Sequence, residues 1–435
     1  MFKQFTKYVF PSVLAMFISS LYVIVDGIFV GKGVGDLALG AVNLILPLSI
    51  SFFGIATMFA VGGGTLISSN FGRNKINEGV LIFRQAFKFL IILSFFLSLI
   101  GVVFAEKIVI ILGATQNMAD MAATYLRYYT LFCIPNIIGI ALNSFIRNDG
   151  NPKLAMLSTI LGALTNVLLD YIFIFIFQWG IKGAAIATGL GQLITISVIL
   201  FHFILKKGHL SFKNVTLDFG IIKEFVKIGF PSFFAEITFS MIIFCMNIVL
   251  VKIGGETGLA AFSIINYLTT NIYMILLGLA FGVQPLISYN LGAKNPKAMI
   301  SYYKMTIITS VVINFTFWAV CYIFGMKIIQ FFSQNTEIIR MAYSGLNIIN
   351  VAFFLVGINL ATTIYYQSIG NPSSSNVICI MRSILFLPII LFILSKFLGI
   401  NGIWISMIIS ELLTLGASGY FFKINISTYN AVKSI

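Results

Sequence analysis

Acidic residues are scarce in this sequence: 13 Asp and Glu stand against 27 Lys and Arg, and charged residues make up only 9% of 435 positions. A soluble globular chain carries about a quarter, so a water-exposed surface is excluded for most of the molecule. Histidine occurs twice and cysteine four times. Cys133, Cys245, Cys321 and Cys379 lie singly in apolar stretches with no metal-ligand spacing, which points to inert buried thiols. His202 and His209 fall at the end of one apolar stretch and in the loop after it, where a solvated surface role is expected. With no paired histidines and no Asp-rich loop, an integral-membrane transferase or hydrolase lacks its chemistry. No enzyme activity is expected.

Apolar sequence is what the chain has in abundance: 59% of residues are hydrophobic and the mean hydropathy is +1.03. Twelve stretches reach or approach the roughly 20 residues that cross a hydrocarbon core. They are 9–30, 39–69, 87–104, 125–146, 154–177, 184–205, 229–251, 259–289, 302–324, 338–366, 377–398 and 403–422. Their length and continuity predict helices rather than barrel strands, hence an all-α polytopic membrane protein. The first run is too long for a signal-peptide core and is expected to be retained. The net charge of +14 is not a nucleic-acid footprint. With a cytoplasmic N-terminus, Lys32, Lys107, Arg127, Lys182, Lys252, Lys327, Arg340 and Lys396 lie outside, and the other 19 of 27 basic residues, Lys423 and Lys433 among them, lie inside. That asymmetry places both termini in the cytoplasm and sets the basic face against anionic lipid headgroups.

Compared with itself at a shift of 220 residues, the sequence matches without gaps. Lys7, Phe10, Pro11 and Ser12 meet Lys227, Phe230, Pro231 and Ser232; Lys32 and Gly35 meet Lys252 and Gly255. Gly62, Leu66, Ile67, Ser68, Asn70 and Gly72 meet Gly282, Leu286, Ile287, Ser288, Asn290 and Gly292, and Gly150-Asn151-Pro152 meets Gly370-Asn371-Pro372. At a shift of 219, Gly180 and Gly183 meet Gly399 and Gly402. The chain is therefore expected to form two six-helix lobes, 1–205 and 229–435, joined by a basic linker, 206–228. Six is even, so the lobes are parallel repeats related by an axis along the membrane normal. The repeated residues are mostly scaffold: turn formers, helix-contact glycines, and Pro11, a candidate hinge in the first helix.

Function is sought where the halves differ. In the stretch 21–36, LYVIVDGIFVGKGVGD, Asp26 has no charged residue within five positions on either side, and its counterpart is Met246. A carboxylate at that depth is a functional hypothesis by default. Asn166 and Asp170 lie four apart on one helical face, opposite apolar counterparts, and Thr188 meets Met407. Counted from the outer ends of their spans, Asp26, Asp170 and Thr188 sit within roughly 6–10 Å of the same edge. If they converge, two poorly hydrated carboxylates resist carrying charge together, and a proton or bound cation relieves the strain. The neutral oxygens of Asn166 and Thr188 suit Na⁺, which a proton would not need. The competing reading leaves Asp26 and Asp170 separately hydrated near the interface.

Glu236 and Glu411 are candidates for a second titratable or substrate site, although Glu411 aligns with Gln192 and also reads as a structural hydrogen bond. Arg382 is close enough to the inner end of its span to snorkel. Met241, Met246, Tyr273 and Met274 are candidates for an adaptable substrate cavity.

Twelve spans, two parallel halves, the early Phe10-Pro11-Ser12 and Phe230-Pro231-Ser232, the VDGIFVGKGVG stretch and the RNDGNPK turn together resemble the multidrug and toxic compound extrusion (MATE) family. The segment 25–43 resembles its bacterial drug-efflux branch near the DinF-like group. The resemblance implies outward-facing, V-shaped lobes around a multidrug cavity and antiport of small-molecule drugs or metabolites, often cationic, against H⁺ or Na⁺. It implies a cation site at Asp26, Asn166, Asp170 and Thr188. No cofactor beyond the coupling ion is expected, and the protein is expected to work as a monomer in a prokaryotic cytoplasmic membrane. Some relatives carry acids in the seventh and tenth spans; Glu236 fits the first, whereas 338–366 has none. The alternative is a lipid-precursor or polysaccharide flippase of the same superfamily, whose cationic cavity would find only Arg382.

Overall fold

The computed structural model describes the backbone of residues 1–433 and the side chains of residues 1–35 and 37–420. The side chains of Lys423 and Lys433, counted above on the basic face, lie outside the described residues. Every regular element among those described is helical. In order they are α1 (Phe2–Gly33), α2 (Asp36–Gly72), α3 (Ile76–Val103), α4 (Ala105–Ile111), α5 (Ala119–Leu131), α6 (Cys133–Asn148) and α7 (Pro152–Asp170). A π-helical segment, Tyr171–Ile176, follows, then α8 (Gly180–Ile204), α9 (Phe219–Gly292), α10 (Pro296–Phe332), α11 (Thr336–Ser368), α12 (Pro372–Ile380), a second π-helical segment, Met381–Phe386, and α13 (Leu387–Lys433).

Nine of these runs are long and apolar enough to cross a membrane, and α5 with α6, bent by 50°, supplies a tenth span. The bend has a cause in Pro135, whose ring meets the carbonyl four residues back in a straight helix. At 74 residues, α9 would be about 110 Å long if continuous, and Gly255, at φ 56° and ψ −151°, divides it. Gly399, at φ 57° and ψ −135°, divides the last run in the same way. Twelve spans result. Their sequence counterparts Gly35 and Gly180 also hold positive φ, 114° and 59°. The repeat therefore conserves the backbone freedom that only glycine gives cheaply at a chain reversal.

The described chain divides into two compact units. The first is Met1–Ile237 with Phe281–Met299; the second is Thr238–Ala280 with the chain from Ile300 onward. In the first, Phe59, Phe83, Phe145 and Phe225 are fully buried, with Phe83 and Phe145 edge to face at 5.7 Å. Large apolar side chains elsewhere face outward, among them Ile111 at 83% and Phe331 at 88% exposure, as lipid-facing helices require. Within the first unit, α2 and the end of α9 cross backbone to backbone. A Cβ on Gly72 would strike the Tyr289 carbonyl, and one on Gly292 the Ser69 carbonyl.

His202 is not solvated as expected: it is fully buried. Its Nε2 is 2.7 Å from Asp149 Oδ2, and Asp149 also accepts from the backbone N–H groups of His209 and Leu210 at 2.8 and 3.1 Å. The turn acid thus ties down the start of the linker, and burial of its partner follows from that pairing. His209 stays exposed, its ring 5.5 Å from Phe71. Further along, Arg84 donates to Ser211, Gln85 to the Thr216 carbonyl and Lys88 to Asn214 and Val215. The linker is therefore strapped to α3.

Candidate functional site

The four polar residues that distinguish the first half come from three helices: Asp26 from α1, Asn166 and Asp170 from α7, Thr188 from α8. Helix α7 packs along both of the others. Close approach of α7 and α8 rests on small residues, Gly162 facing Gly191 and Thr195. Asn166 and Asp170 are buried, at 3% and 0% exposure, while Asp26 and Thr188 are half-buried.

The structure brings all four together. The Asp26 and Asp170 carboxyl groups lie within hydrogen-bonding reach of each other, with the Asn166 amide alongside Asp170. Asn166 Nδ2 donates to Thr188 Oγ1 at 3.4 Å, and Thr188 Oγ1 donates to the Ala184 carbonyl at 3.1 Å. As carboxylates, two acids offer each other no proton. Asp26 Oδ1, Asn166 Oδ1 and both Asp170 oxygens are accordingly buried and accept from no described donor. Orphaned acceptors in an apolar surround are costly, and a proton or an oxygen-seeking cation is the partner such a donor set fits.

Sequence reasoning passed over the aromatic side of this cluster. Tyr22, one turn before Asp26 on the same helical face, and Tyr125 on α5 lie within electrostatic reach of both carboxyl groups. Tyr125 stacks on Tyr129 at 5.9 Å, and Tyr129 Oη accepts from Asn136 Nδ2 at 3.0 Å. The i, i+4 spacing of Tyr22 to Asp26, and of Tyr125 to Tyr129, was the available signal.

Glu236 is buried in the first unit. Pro11 is inside α1 and buried, and the helix runs through it. In the second unit Met246 and Tyr273 are buried, Met274 is half-buried and Met241 is 42% exposed. Tyr273 stacks on Phe239 at 4.5 Å. Arg382 does not snorkel. It lies in the second π-helical segment, and its Nε donates to Glu411 Oε1 at 2.5 Å. Asn359 Nδ2 donates to Glu411 Oε2 at 2.8 Å, and Ser418 Oγ to Asn359 Oδ1 at 3.2 Å. A buried carboxylate within reach is a better partner than the distant interface, so Glu411 is an ion-pair member.

Comparison with known proteins follows the same lines. The MatE family model matches residues 11–172 and again 231–393, so the internal repeat is two copies of one family unit. The multidrug export protein MepA of Staphylococcus saprophyticus is 27% identical over 414 residues, covering 94% of this chain and 91% of its own. MepA of Staphylococcus aureus is 26% identical over 413 residues, with 94% and 91% covered. Among solved structures, an outward-facing multidrug resistance MATE family transporter superposes with a TM-score of 0.94 at 23% identity, covering 99% of this chain and 96% of that one.

Proposed function

This chain belongs to the MatE family, and on that premise we propose that it is a cation-coupled antiporter exporting amphipathic, often cationic organic compounds from a prokaryotic cell. The observation that carries the coupling is the set of four buried acceptor oxygens on Asp26, Asn166 and Asp170 with no donor among the described residues. The second half carries apolar residues at the positions of both acids, so the shared scaffold does not require the pair, which supports a functional role for it. The curated relatives named above are multidrug export proteins, which supports the substrate class.

In the coupling step, a proton or Na⁺ arriving from outside joins Asp26 to Asp170, and α1 and α7 settle into a packing that the empty pair disfavours. Drug and cation then compete through the conformations they favour. Each must bind those conformations with different affinity, or neither moves the equilibrium.

Purified protein in liposomes, loaded with a fluorescent cationic dye, tests this under separately imposed pH and Na⁺ gradients. Extrusion is expected under at least one gradient and is expected to vanish in D26N and D170N at unchanged protein level. Dye movement at the wild-type rate in both variants would remove the pair from the mechanism.

A further inference from the structure

Arg147, in the last turn of α6, is buried at 6% exposure. Its guanidinium stands over the Phe281 ring at 5.7 Å. It makes no hydrogen bond and no ion pair with any described residue, and Nε is wholly enclosed without an acceptor. The remaining exposure therefore belongs to the rest of the side chain, including the Nη end. The acid nearest in sequence, Asp149, is occupied by His202 and by two linker N–H groups.

The ring face and the carbonyl end of α6 offset part of the positive charge. Neither gives Nε an acceptor. Buried charges are normally paired, and an isolated one is among the costliest groups a fold can hold.

The scaffold does not need this charge. At the 220-residue shift Arg147 meets Gln367, which is 2% exposed and precedes the matching turn Gly370-Asn371-Pro372. A neutral glutamine stands at the matching place in the second half, where the turn is closed by its backbone carbonyl as it is by that of Arg147. The acids within two turns of Arg147 are exhausted, while Lys3, Lys7, Arg73, Lys75 and Lys153 belong to the same basic set.

We propose that Arg147 anchors a binding site for a compact oxyanion, a carboxylate or phosphate group, at the basic end of the first unit. The planar guanidinium fork matches such a group through two parallel N–H donors, which a lysine cannot present. A free anion and the headgroup of an anionic phospholipid share this chemistry.

Thermal unfolding of the full chain, purified in a neutral detergent, separates the sources. In one arm, inorganic phosphate replaces chloride at constant ionic strength; in the other, phosphatidylglycerol replaces phosphatidylcholine in mixed micelles without phosphate. A saturable gain in Tm that wild type shows and R147Q loses is expected in one arm, and that arm identifies the source. Equal responses of wild type and R147Q in both arms overturn the proposal. Should R147Q fail to fold, R147K serves: it keeps the charge and loses the fork, so weaker saturation than wild type supports the site and identical saturation overturns it.

Discussion

Arg382 Nε and Glu411 Oε1 meet at 2.5 Å inside the second unit, joining a π-helical turn to α13. At the 220-residue shift, Arg382 corresponds to Gly162, and at 219, Glu411 corresponds to Gln192. The first half thus fills the same place with a glycine and an amide. A π turn is a frequent marker of a side chain that has been re-aimed, and this one holds a cation against its acid.

Breaking that pair from one side leaves a charge buried. Arg382→Met is expected to cost about 3–5 kcal/mol, because Glu411 keeps only its neutral partner Asn359. R382M/E411L should recover most of the lost thermal midpoint in detergent. A double variant as unstable as the single would assign the role to packing instead of charge.

Thr188 and Asn166 contribute neutral oxygens next to the carboxyl pair, useful to Na⁺ and superfluous to a proton. Thr188→Ala should weaken Na⁺-driven dye extrusion roughly tenfold, the scale on which loss of a ligand-orienting group is felt. Extrusion driven by a pH gradient should stay near wild type. The measurement is initial rate against external Na⁺, and equal losses under both gradients would contradict the division of roles.

Asp149 holds the linker by one histidine and two backbone N–H groups. Charge-assisted bonds of this kind are worth about 1.5–3 kcal/mol each. Asp149→Ala should therefore raise the undocked linker population by more than roughly thirtyfold. Trypsin cleavage after Lys206, Lys207 and Lys213 in the purified protein reports it, and an unchanged cleavage rate would mean that the α3 contacts alone suffice.

Gly72 has no room for a methyl group against the Tyr289 carbonyl. Gly72→Ala should lower stability by about 1–3 kcal/mol, the usual cost of overpacking, and Gly292→Ala should do likewise at the matching contact with Ser69. Thermal midpoints in detergent read both, and an unchanged midpoint in either would show that the crossing can widen freely.

Span positions, the helical class, the internal repeat and the family were legible in the sequence. The family was legible through the resemblance of its motifs; the others are properties of periodicity or composition along one chain: apolar runs need only be long enough, and repeated glycines at positions 35, 180, 255 and 399 mark reversals whatever packs around them. The candidates Asp26, Asn166, Asp170 and Thr188 were legible for a related reason, since an acid has no neutral place in an apolar helix and the repeat showed that the scaffold does without it. What each polar group meets was decided only by the tertiary structure. Arg382 was expected to reach for the interface and found Glu411; His202 was expected in water and found Asp149; Tyr22 and Tyr125 were two aromatics among many until α1, α5 and α7 set them beside the acids. Partnership depends on which helices cross and at what rotation. That is fixed by packing between segments far apart in sequence, and no single segment encodes it.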